Sequence, residues 1–383
     1  GLMRVSGDVS FTKKITAEFA SSQDNGSAIS MTGGELYVSS TSSDIGFNLT
    51  GNYMNGISVS GGTLSVTGSA QNKIIFTIAG SSTRGISSET SGGAAGSVTV
   101  SDAVFNISKS GDDSNGIYGI YSGGGTIKAT DCSFDMVGGY ARGIYSAGGT
   151  VNCGGSTVIN VDGTYSAGIL AYGGNISVDG EYNSTIVGMT DNLLSSAAIS
   201  SEGGDISIAG GSATITTDGL GITARSGASI NISTTEFTLT SKNGTAIYIN
   251  GGNLTIDEGT TVNITSTINE DYGWVTPPDE EGNQAGGNAN VNKYNGVYIQ
   301  GGSLTANGTF NVTHTGVAND SSQYYGSNRA TLYRDYEIRS YAVRVEGVEG
   351  TTATIKRSTI TNSVGGGLYV SGDDTRVVTL GTE

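Results

Sequence analysis

The sequence predicts an all-β fold, a single right-handed parallel β-helix of three short strands per coil and roughly a dozen coils, spanning residues 1–383. Three observations lead there. One phrase recurs along the chain: a small residue, Ile or Val, one residue, an often apolar one, Gly-Gly, one residue, then an aliphatic one. Apolar residues on either side of that corner alternate with a period of two, as in strands half-buried on one face. Glycine is abundant, at 63 residues, while proline is nearly absent, at 2, so the chain turns often yet keeps its ladder hydrogen bonds.

The phrase reads Asn55-Gly56-Ile57-Ser58-Val59-Ser60-Gly61-Gly62-Thr63-Leu64-Ser65-Val66 at its first clear occurrence. It returns from Arg142 to Cys153, from Thr245 to Ile256 and from Asn295 to Leu304. A full coil runs Ala167–Tyr172, the Gly173-Gly174 corner, Asn175–Val178, the Asp179-Gly180 corner, then Ser184–Val187. Most corner-to-corner intervals fall between 24 and 31 residues, short for a propeller blade. Gly interrupts every window, which excludes sustained helix. Stacked coils rise by about 4.8 Å each, so about 13 of them make a rod on the order of 60 Å long.

Composition narrows the function classes. A formal net charge of −16 opposes binding to nucleic acid and to anionic membranes. No apolar run is long enough to span a bilayer as a helix. The Ser, Thr, Asn and Gly richness of an acidic chain points to the cell exterior, secreted or surface-held. Cys132 and Cys153 fall at offset positions of successive coils and read as small buried residues rather than a disulfide or metal pair. Gly1-Leu2-Met3-Arg4 reads as a truncated start, and the strand-like Arg376–Gly381 predicts that the natural chain continues past Glu383 or meets another subunit there.

Two intervals are about double the others, from Gly251 to Gly301 and from Gly301 to Gly347. They hold predicted insertions over 268–292 and 316–340. Each follows a third strand, and equivalent corners of successive coils are neighbours in space, so the insertions are expected to form one lobe. The first carries Tyr272 and Trp274, the second Tyr324, Tyr325, Arg329, Tyr333, Arg334 and Tyr336. These eight are the candidate binding residues, because aromatic faces stack on sugar C–H surfaces and Arg hydrogen-bonds hydroxyls. Gln71–Arg84 and Glu181–Ser196 read as minor strand extensions at a similar corner.

Catalytic chemistry finds little support. Asp112-Asp113 and Asp373-Asp374 are isolated doublets at turns, where Asp is common for local reasons. Lys356-Arg357 lacks an acidic ladder opposite it. His314, the sole histidine, reads as a solvent-facing strand end, and Arg344 with Glu346 as a solvated face. Tyr118, Tyr121, Tyr145, Tyr248 and Tyr298 read as an aromatic ladder between coils. Thr-x-Thr pairs, which suggest an ice-binding face, form no regular array along the sequence. No metal set or cofactor motif is present.

Stretches such as Ser60-Gly61-Gly62-Thr63-Leu64-Ser65-Val66-Thr67-Gly68 and Gly301-Gly302-Ser303-Leu304-Thr305-Ala306-Asn307-Gly308 resemble autotransporter passenger repeats and the pectate-lyase-like adhesin domains of bacterial surface proteins. The resemblance covers nearly the whole chain through spacing and residue type. It implies a non-catalytic adhesion module whose partner is a polysaccharide or a host or cell-surface protein. A polysaccharide lyase or glycoside hydrolase, and a stalk of a larger surface protein, are the alternatives. The Asn-x-Asp, Asp-Asp and Gly-His-Gly set of polygalacturonases is not reproduced.

Overall fold

The computed structural model describes residues 3–5, 9–10, 18–21, 24–40, 43–91, 93–110, 114–188, 197–242, 244–267, 295–315, 341–346, 350–362, 366–371 and 377–381. Among them the strands form one continuous 28-stranded array that contains no helix. Every strand pairing is parallel except the short hairpin of Thr90–Ser91 with Ala94–Ser101, and one isolated antiparallel bridge joins Tyr172 to Gly203. Strands pair with those one coil away, which makes the chain a parallel β-helix.

Three inward columns build the core. On the first strands, Ile57, Ile86, Ile120, Ile144, Ile169, Ile199, Ile222 and Ile247 lie one above the next. On the second strands, Leu64, Val98, Ile127, Val151, Ile176, Ile206 and Ile230 do the same. On the third strands, Phe47, Phe76, Phe105 and Phe134 stack with centroids 4.6–4.7 Å apart and near-parallel rings. All of these side chains are buried. A column of identical residues satisfies the coil spacing with one repeated rotamer and leaves no gap.

The recurring glycines follow from that packing. A Cβ on Gly85 would sit 2.4 Å from the Phe105 ring, and one on Gly56 or Gly119 would crowd Phe76 or Phe134 in the same way, so in these coils the glycine before the first-strand Ile makes room for the third-strand aromatic. At the Gly173-Gly174 corner the two residues have different tasks. Gly173 takes a φ of +77°, a left-handed turn that costs glycine nothing. A Cβ on Gly174 would lie 2.1 Å from the hydroxyl of Ser146 in the coil beneath. That hydroxyl donates to the Gly149 carbonyl at 2.8 Å. Ser122 and Ser201 donate to Gly125 and Gly204 in the same way, at 2.8 and 2.7 Å. These carbonyls also accept the backbone N–H groups of Asn175, Thr150 and Ser229 from the next coil, so the buried serines fill their second acceptor site and find a partner for their own hydroxyls.

Cys153 pairs with Ala129 and Cys132 with Thr157, so the thiols are offset, free and buried, as the spacing predicts. Three expectations need correction. Ile74–Ala79 is the ordinary third strand of its coil rather than an extension, and Glu181–Val187 is the end of the strand Asn175–Val187, while 189–196 lie outside the described residues. His314 is fully buried (0% exposed). It continues the inward alternation of Phe310 and Val312 and stacks between Ser266 and Asn362. Arg344 is 7% exposed, lies over the Tyr298 and Tyr369 rings at 5.1 and 5.6 Å and pairs with Glu346. The strand around it is covered on both faces, which alternation alone does not reveal.

Removing the Phe105 ring deletes the middle of the aromatic stack, so Phe105→Ala is expected to lower stability by about 3–5 kcal/mol. Gly174→Ala forces the corner apart and should cost about 1–3 kcal/mol. Denaturant titration followed by circular dichroism measures both. Burial pushes the Cys132 thiol up to about 12 from 9.0, and the Cys153 thiol rises further for the same reason. Below pH 9 the thiols are protonated folded or unfolded. Above it the unfolded chain loses protons that the folded chain holds, so stability should fall from pH 9 towards 12. Urea midpoints across that range check the slope, and the thiols should resist disulfide-exchange reagents until the chain unfolds.

Candidate functional site

The outward face of the first strands carries one unbroken column: Ser58, Ser87, Tyr121, Tyr145, Leu170, Ser200, Thr223, Tyr248, Tyr298, Arg344 and Tyr369. The tyrosines on it form two clusters rather than one ladder, because Leu170, Ser200 and Thr223 separate them. From Leu170 to Arg344 the column is buried although it points away from the core. Tyr248 and Tyr298 stack there at 5.4 Å, and the Tyr248 hydroxyl donates to Gln300 Oε1 at 2.7 Å. Burial, then Glu346, raises the Tyr298 phenol well above its ordinary value.

The other cluster is half-exposed. Tyr118, Tyr121 and Tyr145 surround one another with centroids 5.3–5.4 Å apart. Arg84 lies 3.7 Å over the Tyr121 ring and pairs with Glu89. Arg142 sits 5.9 Å from the Tyr118 centroid and 6.0 Å from those of Tyr140 and Tyr145. It donates to the Tyr140 carbonyl at 2.8 Å, and no carboxylate among the described residues pairs with it. Tyr140 and Tyr165 stack at 4.8 Å where the chain enters the first strands, and Lys109 lies 5.6 Å from the Tyr140 ring.

Tyr140 and Tyr165 hold φ values of +58° and +54°, as does Tyr53 at +58°. Such values are uncommon for a bulky residue, and repetition at one corner marks a built feature. Burial, followed by the neighbouring Tyr118 and Tyr121, pushes the Tyr145 phenol up to about 12, and burial raises Tyr121 against the pull of Arg84. Both phenols are therefore neutral donors near pH 7. The face combines aromatic surface, phenolic hydroxyls and a guanidinium free to take a new acceptor.

Tyr272, Trp274, Tyr324, Tyr325, Arg329, Tyr333, Arg334 and Tyr336 lie outside the described residues, as do Asp112, Asp113, Asp373 and Asp374. Thr267 pairs with Thr315, and Asn295 with Tyr341, so both long intervals leave from and return to neighbouring rungs. Sequence reasoning singled out Tyr118, Tyr121 and Tyr145 but missed Arg84, Lys109, Tyr140, Arg142 and Tyr165. The signal was there: Tyr-x-x-Gly-Ile occurs at Tyr53, Tyr140 and Tyr165, each time placing Tyr at the entry corner. Among the described residues no cluster of metal-ligating side chains occurs. Comparison of the chain with known families, curated proteins and solved structures gives no match.

Proposed function

We propose that this protein is an extracellular surface module that binds glycans, or a glycan-bearing cell-surface protein, through the Tyr–Arg face of its β-helix. The observation that supports this is the half-exposed group Tyr118, Tyr121, Tyr145 and Arg142, set among Ser- and Thr-covered coils. Sugar rings offer flat C–H faces to aromatic rings and hydroxyls to phenols and guanidinium groups. One sugar ring in an extended chain is about as long as one coil is thick, about 4.8 Å. Successive tyrosines therefore meet successive rings of a saccharide lying along the rod. Affinity then comes from repeated contacts along a chain.

A glycan array and a cell-binding assay test this reading. Tyr118→Ala and Arg142→Ala should each weaken binding to the recognised glycan about tenfold, or about 1.4 kcal/mol, with the fold unchanged. Trp274→Ala and Tyr325→Ala form a separate arm. Loss there with normal binding by the Tyr118 and Arg142 variants would move the site to the inserted segments.

A further inference from the structure

A different face of the rod carries a regular array that the linear sequence hides. Thr185, Thr216, Thr240, Thr265, Thr313 and Thr361 each pair with the next on consecutive third strands. Two residues earlier on the same strands, Asn183, Thr214, Thr238, Asn263, Asn311 and Thr359 form a second column with the same partners. All twelve are exposed or half-exposed. No register shift falls between the paired positions of either column.

We propose that this two-column strip of Thr and Asn binds ice. Threonine hydroxyls repeat about every 4.8 Å along the first column, and the hydroxyls and amides of the second column lie about 6.7 Å away, two residues along each strand. Both repeats lie close to those of the oxygen atoms on a prism face of hexagonal ice. Threonine suits such a surface twice over. Its hydroxyl donates and accepts, as a lattice water does, and its methyl group fills the space between rows. Its branched Cβ restricts χ1, so the array is largely ordered before it binds.

The support beneath is rigid. Ile215, Leu239, Ile264 and Val312 sit between the two columns on the inward side, fully or almost fully buried. Side-chain bonds run along the strip too: Asn311 Nδ2 donates to Asn263 Oδ1 at 3.0 Å. A surface already ordered loses little entropy on binding, which matters where each contact is weak. The charges stop at the borders. Glu181, Glu236 and Arg357 lie two residues before the strip, and Asp218 and Lys242 two residues after it. Without aromatic or charged groups, the strip has no means to stack a sugar or hold an ion. A regular, uncharged array is best matched by a lattice.

Ice-affinity capture and freezing-point hysteresis of the full chain test the proposal. The protein should be enriched several-fold in slowly growing ice over an inert acidic protein of similar mass. Thr240→Tyr and Thr265→Tyr, which raise a ring above the plane, should each remove most of that enrichment. Thr99→Tyr, on the second-strand face, should leave it intact, and thermal melts report whether each variant folds. Capture of the unaltered chain no greater than that of the inert protein overturns the proposal. So does full capture of folded Thr240→Tyr and Thr265→Tyr. If the tyrosine variants unfold, the doubly substituted Thr240→Ser, Thr265→Ser chain decides: reduced capture supports an ice face, and unchanged capture overturns it.

Discussion

Each coil must lie in register on the coil beneath it, and the rest of the molecule answers to that demand. A parallel strand displaced by one residue would turn its apolar set outward and strand its backbone donors. The corners carry the burden, because they set where each strand begins. Gly174 lets the Ser146 hydroxyl close the corner below it, and Gly173 supplies the left-handed turn. Gly85 admits the Phe105 ring, which is held by rings above and below it. Corner, core and ladder therefore specify one another. Proline is rare because its ring would take a donor from a ladder that needs every one.

The same register writes the surface. Any outward residue meets its counterpart one coil away, so a residue type repeated at one position becomes a stripe. Where the repeated residue is tyrosine, with arginine beside it, the stripe is an aromatic and cationic face. Where it is threonine, the stripe is a regular row of hydroxyls. The first-strand column also shows that outward does not mean exposed. From Leu170 to Arg344 both sides of the strands are buried, as in parallel sheets covered on two faces. Tyr248 and Tyr298 are locked there, while Tyr121 and Tyr145 remain half-open.

The fold was legible because its determinants are local. The Gly-Gly corners and the alternating Ile and Val are visible in single coils, and the offset of Cys132 from Cys153 in two successive ones. The errors arose where a property depends on what lies over a strand. His314 and Arg344 look like surface residues by type, yet one continues an inward column and the other lies beneath a cover. The Tyr–Arg face was half legible. Tyr118, Tyr121 and Tyr145 flank the corner motif, whereas Arg84 and Arg142 join them only through pairing across coils. The threonine strip was hidden for another reason. Thr265 and Thr313 are 48 residues apart, twice the separation of Thr216 from Thr240, although both pairs occupy adjacent rungs.

That doubling reveals how the rod tolerates added chain. Thr267 lies beside Thr315 and Asn295 beside Tyr341, so the long segments begin and end at rungs that stack normally. Closing a longer loop costs only about 0.6 kcal/mol for each doubling of its length, far less than breaking a ladder. A corner can lengthen without moving a column on any face. The Tyr–Arg face lies on first strands and the threonine strip on third strands, in coils that overlap only in part. Changes at one therefore leave the other's register intact. A single solenoid can hold two surfaces of unlike chemistry because the constraint that aligns its coils acts inward, on Ile, Phe, Ser and Gly, and leaves the outward positions free.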